Sequence, residues 1–532
     1  MLDLIPREII PDDRDRNSLS RVSKKLHALV TPMLYESITV RSKDESNLQQ
    51  TNIDKFLANF NRQRFTYVKD IRFLAPIDQK DQFRCIHNDL LDQADQDDIE
   101  SRDEGLASKL NDLGNLMAQV RPLFQSLQDN QLRSFHWHLG TCIPKDIIAP
   151  GGYLPTKQPS IEELSLITSD PCDVAKEDWE YEMDLTQFTS LNEFSWCGGM
   201  SRREFGVLRN MLHTHSSSLK FLKLDLVDWW DAQYNWCDND YDWEAWIKDH
   251  NFITEKVLGV CPEETHLVLS ALKSLSLSSV GLRAIVDSGT PINLSTLELV
   301  ISHASDGEYN KQADEEWFVP FLNSFRGLRD LYLEVENGRG VAAMQRYWPS
   351  IFHHHQTLRS IAIEDDKVLD LFTEMSLECI GLCLVPAIPK TQIFSNLTLA
   401  QVNNLKLLCL RDTHPLADSE NPFESEEDQN NAIREFAKWA FKMFPRLLFI
   451  AFGNLPNGHP TVNTREIFRR QPFPGVESND FPDSSKSENQ VSEGFDGFQE
   501  LEMEDSRFAD YLERLREVLE ACPTDPLYRK NF

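Results

Sequence analysis

The clearest pattern of apolar and polar positions lies between Asn430 and Phe452. Apolar residues recur there at helical spacing and form one face of a predicted helix: Ile433, Phe436, Ala437, Ala440, Phe441 and Phe444. Pro445 ends the helix, and Leu447, Ile450 and Phe452 then follow at the spacing of a short strand that buries one face. Neither half of this unit can bury its apolar face alone, so we expect the unit to stack against copies of itself.

The strand half of this unit recurs along the chain. Matches that allow any apolar residue begin at Val68, Leu132, Ile161, Leu191, Leu219, Leu272, Leu294, Leu328, Leu358, Leu377, Leu405 and Leu447. The strict form Leu-x-x-Leu-x-Leu begins at Leu219, Leu272, Leu294, Leu328 and Leu405, whereas about one strict match is expected by chance. This excess indicates leucine-rich repeats, in which a strand alternates with a helix.

The spacing of the repeats supports the same prediction. Starts at Leu132, Ile161, Leu191 and Leu219 are 29, 30 and 28 residues apart, close to the long end of the leucine-rich range. The interval before Leu219 carries Phe205, Leu208 and Leu212 at helical spacing. We therefore predict an α/β fold in which residues 41–470 form an irregular leucine-rich-repeat solenoid, with a curved parallel sheet and outer helices.

Three insertions interrupt the predicted repeats, at about 77–105, 228–260 and 412–431. The second insertion contains five tryptophans among acidic residues: Trp229, Trp230, Trp236, Trp243 and Trp246. Tryptophan is enriched at the centres of protein interfaces, so these residues are candidates for binding a partner. The alternative is that they pack the insertion back onto the repeats.

The C-terminal part lies outside the predicted repeats. Residues 471–505 are rich in acidic residues, Pro, Gly and Ser, a composition that predicts a disordered linker. Residues 506–532 are predicted to form an amphipathic helix and tail, because apolar residues recur there at helical spacing: Phe508, Tyr511, Leu512, Leu515 and Leu519.

Charge and composition narrow the choice of partners. The chain has 532 residues, of which 41% are hydrophobic, and a formal net charge of -31. This acidic balance argues against nucleic acid and anionic membrane surfaces as partners. Ten cysteines without regular spacing predict reduced thiols, and neither a signal peptide nor an apolar run of membrane-spanning length is present. We expect a cytoplasmic or nuclear protein.

Candidate chemistry is sparse. No motif of a hydrolase, metalloprotease, nucleotide-binding loop or dinucleotide site occurs, so we expect no catalytic residues, no cofactor and no enzymatic activity. His353, His354 and His355 are consecutive and lack the spacing of zinc ligands, which favours a solvated helix end over a metal site. His136 and His138 lie in a predicted strand on the opposite face from Phe135, and we assign no chemistry to them. Cys379 is expected to be a small core residue.

The N-terminal 40 residues carry a further pattern in three short motifs. These motifs are Ile5-Pro6-Arg7-Glu8-Ile9, Leu19-Ser20-Arg21-Val22-Ser23-Lys24-Lys25-Leu26-His27 and Thr31-Pro32-Met33-Leu34-Tyr35. Together they resemble the F-box of fungal F-box proteins with leucine-rich repeats. The sequence is shorter than that family between Ile10 and Pro11, by one or two helical turns.

The resemblance implies a substrate-recognition subunit of a Skp–cullin–F-box-type ubiquitin ligase. In that family the box binds a Skp-type adaptor within the cullin complex, and the repeats bind a protein substrate. The residues that match the adaptor-binding motif here are Ile5, Pro6, Ile9, Leu19, Val22, Leu26 and Tyr35.

Two alternatives remain open at this point. Residues 1–40 could instead form a helical cap for the end of the repeats, because terminal repeats need a polar outer face. The whole chain could also be a repeat scaffold unrelated to ubiquitin that binds a basic protein partner through its acidic surfaces.

Overall fold

The fold was taken from a computed structural model of the chain, which describes residues 21–41, 62–74, 118, 120–139, 143–168, 183–197, 202–225, 269–278, 286, 292–301, 313–335, 340–363, 375–384, 404–412, 426–453, 464–470 and 498–501. Contacts divide the chain into two compact units. The first comprises Met1–Leu294, Leu299–Arg326 and Pro526–Phe532, and the second comprises Ser295–Glu298 and Gly327–Asp525.

The first unit alternates short strands with helices. Its strands are β1 (Ser37–Arg41), β2 (Asp70–Leu74), β3 (Ser134–His138), β4 (Glu163–Ile167), β5 (Glu193–Cys197), β6 (Phe221–Asp225) and β7 (Ser274–Ser278). Its helices are α1 (Lys24–Leu34), α2 (Lys145–Ile148), α3 (Tyr153–Lys157), α4 (Arg202–His215) and α5 (Ala313–Asn323), with 3-10 turns at Arg62–Tyr67 and Leu185–Gln187. Strands β1 to β7 pair in chain order, and every pair is parallel.

The second unit continues the same alternation and then changes direction. Strands β9 (Asp330–Val335), β10 (Ser360–Ile363), β11 (Cys379–Leu384), β12 (Leu407–Asp412) and β13 (Phe449–Gly453) pair in chain order and in parallel. Strands β14 (Thr464–Arg470) and β15 (Phe498–Leu501) then add to β13 in antiparallel fashion. Helices α6 (Gly340–Phe352) and α7 (Glu426–Met443) belong to this unit, and strand β8 (Thr296–Ile301) contributes its first residues.

A strand begins two residues after each of the twelve repeat starts predicted from sequence. The first apolar position of the pattern is at most 2% exposed throughout the first unit, at Val68, Leu132, Ile161, Leu191, Leu219 and Leu272. The second unit buries the equivalent side chains Leu328, Leu358, Leu377, Leu405 and Leu447 to the same degree. Burial of one such side chain contributes about 2 kcal/mol, so these positions form the apolar core of each unit.

Eleven of the described strands begin with the same backbone contact. Two successive N–H groups donate to a single carbonyl oxygen of the preceding strand segment, as when Lys69 and Asp70 donate to Glu36 at 2.7 and 3.0 Å. This contact occurs six times in the first unit and five times in the second. Because it always involves the residues just after the first apolar position, it sets the register of neighbouring strands.

Side chains in the loops before the strands add a second connection. In each case the donor residue lies just before the first apolar position of its own strand. The acceptor is the backbone carbonyl at the first apolar position of the preceding strand. Gln131 Nε2 reaches Val68 O at 2.6 Å, Ser218 Oγ reaches Leu191 O at 3.1 Å, and Thr357 Oγ1 reaches Leu328 O at 2.7 Å. These bonds give the three carbonyl groups a side-chain donor from the next loop.

The structure confirms the predicted α/β class and the parallel pairing of consecutive strands. The unit around Asn430 has helix α7 and strand β13 where the pattern predicts them, with Ala437, Ala440 and Phe444 buried on the helix. Strand β1 begins at Ser37, inside the range 1–40 that we predicted to be a helical module, and ends at Arg41. Its residues Ile38 and Val40 alternate with polar residues and pair with β2. The insertions at 77–105 and 228–260 lie outside the described residues.

Two C-terminal strands were not predicted. Strand β14 follows the last predicted repeat strand, and β15 occupies part of the range 471–505 for which acidic composition predicts disorder. In β15 Phe498 and Leu501 supply apolar positions, and the edge of β14 offers backbone groups for pairing. The predicted amphipathic helix within 506–532 lies outside the described residues.

Candidate partner-binding surface

The strands of the first unit have one apolar face and one polar face, because successive side chains in a strand point to opposite sides. Ile71, Phe135, Leu164, Phe194, Leu222 and Leu275 form the apolar face and are fully buried. The register places two rows of mainly polar residues on the other side. The first polar row is Ser37, Asp70, Ser134, Glu163, Glu193, Phe221 and Ser274, and the second is Thr39, Arg72, His136, Ser165, Ser195, Lys223 and Ser276.

Asp70 and Ser134 occupy adjacent positions in the first polar row. The Ser134 hydroxyl donates to Asp70 Oδ1 at 2.8 Å, and Ser134 is only 2% exposed. Burial raises the pKa of Asp70, and the hydrogen bond from Ser134 opposes that effect. Asp330 of the second unit repeats this arrangement, since burial raises its pKa while the Thr296 hydroxyl donates to Oδ2 at 3.2 Å.

Two histidines lie beside this pair on strand β3. His136 Nε2 is 3.3 Å from Glu163 Oε1, and His138 Nε2 is 2.7 Å from Ser165 Oγ. The two imidazole rings meet edge to face with centroids 5.5 Å apart. Both rings share the face opposite Phe135, as the alternation of the strand predicts. No three metal-ligating side chains come together anywhere in the described part of the chain.

These groups form a continuous hydrogen-bonding surface. Carboxylates, hydroxyls, imidazoles and the cationic groups of Arg72 and Lys223 share one side of six neighbouring strand pairs. Such a surface can bind extended polar groups of a protein partner through hydrogen bonds and ion pairs. Sequence analysis placed His136 and His138 on this face without assigning them a role. It did not single out the other residues, although they occupy the x positions of each match to the repeat pattern.

The equivalent face of the second unit has a different character. Its central row is Tyr332, Ala362, Gly381, Cys409 and Ala451, in register across strands β9 to β13. The neighbouring row begins with the polar residues Asp330 and Ser360 and continues with Cys379, Leu407 and Phe449. We call the central row together with Cys379, Leu407 and Phe449 the apolar strip. Side chains of this kind provide contact area for another apolar surface and few hydrogen bonds.

The N-terminal residues predicted to bind an adaptor fall into two groups. Ile5, Pro6, Ile9 and Leu19 lie outside the described residues. Val22 is 70% exposed, the largest exposed fraction of any large apolar side chain in the described part of the chain, and Leu26 is half-buried. Ser23 caps helix α1 by accepting a hydrogen bond from Leu26 N at 3.2 Å, so Val22 is held at the start of that helix.

Tyr35 already has a partner within the first unit. The Arg64 guanidinium lies 4.3 Å from the centre of the Tyr35 ring and also donates to its hydroxyl. The contact joins the end of helix α1 to the 3-10 turn at Arg62–Tyr67. Tyr35 is therefore half-buried and connects two elements, while Val22 is open to solvent.

The remaining predictions concern the five tryptophans, the histidine triplet and Cys379. The five tryptophans Trp229, Trp230, Trp236, Trp243 and Trp246 lie outside the described residues. The histidine triplet is less solvated than predicted, since His354 is 2% exposed and His355 stacks on Phe352 with ring centroids 4.6 Å apart. The chain turns at the end of α6 and directs these rings toward the helix. Cys379 is buried, as expected of a small core residue.

A scan against models of known protein families gives no match, and no curated protein matches the sequence significantly. In the described part of the chain, no helix has the length and apolar character needed to cross a membrane.

Proposed function

We propose that this protein is the substrate-recognition subunit of a Skp–cullin–F-box-type ubiquitin ligase. Residues 1–40 bind the Skp-type adaptor, and the polar rows of the first unit bind a protein substrate. The protein catalyses no reaction itself, because ubiquitin transfer belongs to the other subunits of such a ligase. The repeats are of the leucine-rich type and display the substrate-binding face.

Support for the adaptor-binding half comes from the N-terminal motifs and from Val22. A single exposed apolar side chain is common on a protein surface, so exposure alone does not mark a binding site. Val22 is 70% exposed and also lies at a position that matches the adaptor-binding motif, and this combination is the observation that carries the proposal. Support for the substrate-binding half comes from the parallel strands, whose polar rows form one wide hydrogen-bonding face.

The adaptor-binding half is tested by replacing Val22 in the full chain. Val22→Asp places a charge where an apolar contact is needed, and we expect co-purification with a purified Skp-type adaptor to fall at least about tenfold, which corresponds to 1.4 kcal/mol. The matched control is Met443→Asp on helix α7, because Met443 is 47% exposed and follows Val22 among the exposed large apolar side chains of the described residues. The control should retain wild-type binding.

The result also separates the two candidate functions. Failure of the wild-type chain to bind the adaptor would remove the ligase role. The second candidate is a repeat scaffold for a basic protein, and the net charge of -31 favours it. That function predicts a protein complex that survives Val22→Asp and weakens steeply as salt is raised.

A further inference from the structure

Arg72 lies on the polar face of strand β2, and one of its nitrogens lacks an acceptor. Its neighbours Ile71 and Phe73 are 0% exposed, whereas Arg72 is half-buried on the opposite side of the strand. Its Nε atom is shielded from solvent and donates to no acceptor in the part of the chain that the structure describes. A shielded donor without an acceptor is unfavourable, so the guanidinium group favours a partner that supplies one.

The acidic side chains closest to Arg72 on this face bind other groups. Asp70, two residues earlier on the same strand, accepts a hydrogen bond from the Ser134 hydroxyl at 2.8 Å through Oδ1. Glu163 Oε1 lies 3.3 Å from Nε2 of His136, which is the register neighbour of Arg72 on β3. The described chain therefore supplies carboxylates near Arg72 but directs them to a hydroxyl and an imidazole.

A second cationic side chain, Lys223 on strand β6, lies in the same polar row. Strands β3, β4 and β5 separate it from Arg72, and their residues in this row are His136, Ser165 and Ser195. Four strand spacings of about 4.8 Å place the two cationic residues about 19 Å apart along the row. An extended peptide advances about 3.3 Å per residue, so side chains about six residues apart match this distance and share one face.

The charges around the row favour a carboxylate over a doubly charged anion. A planar carboxylate accepts two parallel hydrogen bonds from a guanidinium group. Glu163 and Glu193 lie in the adjacent first polar row, on strands between Arg72 and Lys223. Their negative charges repel a dianion more strongly than a single carboxylate. The same two glutamates favour uncharged or basic residues between the acidic ones of a bound peptide.

We propose that the second polar row binds an extended acidic segment of the protein substrate, with one side-chain carboxylate on Arg72 and another on Lys223. This inference rests on the substrate-binding role proposed above and gives the chemistry of the substrate. Arg72 fixes the orientation of its carboxylate through two hydrogen bonds, whereas Lys223 supplies a single positive charge.

Peptide selection on the immobilised full chain tests the proposal. The library consists of synthetic peptides of about ten residues with acetylated and amidated ends, so that only side chains supply carboxylates. Bound peptides should be enriched in pairs of acidic residues about six positions apart. The affinity of a selected peptide should fall at least about tenfold in Arg72→Gln and in Lys223→Gln. Arg72→Lys keeps the charge without the planar donor group and should lose less than Arg72→Gln.

Arg121→Gln is the matched control, because Arg121 forms an exposed ion pair with Asp146 at 3.3 Å and lies outside the strands. This variant should bind the selected peptide as wild type does. Hydrogen exchange of the β2 and β3 amides in Arg72→Gln should also match wild type. If that variant loses its fold, Lys223→Gln decides.

Three results would overturn the proposal: no enrichment of acidic residues, an affinity that neither Arg72→Gln nor Lys223→Gln lowers, or enrichment only in a second library with free C-terminal carboxyl groups. Adaptor co-purification separates this test from that of the ligase role, because Arg72→Gln should bind the adaptor as wild type does. A chain that binds the adaptor but no acidic peptide contradicts only this inference. A chain that binds acidic peptides but no adaptor removes the ligase role and retains recognition of the acidic segment.

Discussion

Gln158 connects three parts of the first unit through a single buried side chain. It is 0% exposed, and its Oε1 accepts hydrogen bonds from Gln131 N at 2.8 Å and Leu132 N at 2.9 Å. Its Nε2 donates to Gln128 O at 2.8 Å and to the Tyr153 hydroxyl at 2.9 Å. All four hydrogen-bonding positions of the amide are used, which is the condition for burying such a group without penalty.

Gln158 lies beside an aromatic pair and is shielded from solvent. Tyr153 stacks on Phe124 with ring centroids 4.4 Å apart, and burial raises the pKa of Tyr153 to about 12. The Tyr153 hydroxyl therefore stays neutral throughout the physiological range and serves as a hydrogen-bond partner. Replacement of Gln158 would leave several buried polar groups without partners at once.

We expect Gln158→Leu to destabilise the first unit by about 3 kcal/mol, because two backbone N–H groups would lose their acceptor while side-chain volume is kept. Hydrogen exchange of the strand β3 and β4 amides measures this loss. Gln125→Leu is the matched control, since Gln125 is exposed on helical residues 120–125. Equal exchange rates in the two variants would contradict a structural role for the Gln158 hydrogen bonds.

At the scale of the element, a loop followed by a short strand recurs along both units. The strand begins with two backbone N–H groups that donate to one carbonyl of the preceding strand segment. The loop before it donates one side-chain hydrogen bond to the preceding loop. Thr357 is the clearest case, donating to Leu328 O at 2.7 Å. Gln131 and Ser218 hold the equivalent positions in the first unit with different side chains. The geometry is constant although the donor residue varies.

Thr357→Val removes this donor while keeping the shape of the side chain. We expect a loss of about 1 kcal/mol in the stability of strand β10, since Leu328 O would lose a hydrogen bond. Exchange of the Ile361 amide is the measurement. Thr357→Ser keeps the hydroxyl and should retain most of the stability, so a Ser variant as unstable as the Val variant would show that the methyl group matters instead.

At the scale of the whole molecule, both units contain parallel strands paired in the same way, but the side chains on the equivalent face differ in polarity. The first presents acidic, basic and hydroxyl groups, and the second presents the apolar strip. The hydrogen bonds of Gln158 lie entirely within the first unit and those of Thr357 within the second. If the predicted repeats are present, stability should be close to a sum of local terms between neighbouring units of structure.

The double variant Gln158→Leu/Thr357→Val tests this independence. Its loss of stability should equal the sum of the single losses to within about 0.5 kcal/mol, because the two sites share no partner. Exchange at β3 should match the Gln158→Leu chain, and exchange at β10 should match the Thr357→Val chain. A coupling energy well above that limit would show that the two units unfold together.

The strand starts could be predicted from sequence because each one depends on local spacing. Leu222 and Leu224 are buried on one side of β6, and Leu219 is buried two residues before the strand begins. The three residues match the pattern Leu-x-x-Leu-x-Leu directly. Strands β14 and β15 were missed because they carry no such motif, and β15 lies in an acidic segment. Antiparallel pairing of β14 depends on the free edge of β13, which one sequence does not display.

On the candidate surface too, local sequence predicts which residues share a face but not which residues contact each other. Alternation along β3 places His136 and Ser134 opposite Phe135, and this much follows from a period of two residues. Their partners do not follow, because Glu163 lies 27 residues from His136, and Asp70 lies 64 residues from Ser134. Only the register of neighbouring strands brings such pairs together.

The sequence by itself therefore determined the alternation of strand and helix, the buried leucine positions and the N-terminal motif that ends at Tyr35. These features depend on contacts between residues that are close in the chain. Tertiary structure decided which x positions are neighbours, that Arg64 covers Tyr35 while Val22 stays exposed, and that one unit has a polar strand face and the other an apolar strip. Those outcomes depend on hydrogen bonds between strands that are distant in sequence, and local spacing carries no information about them.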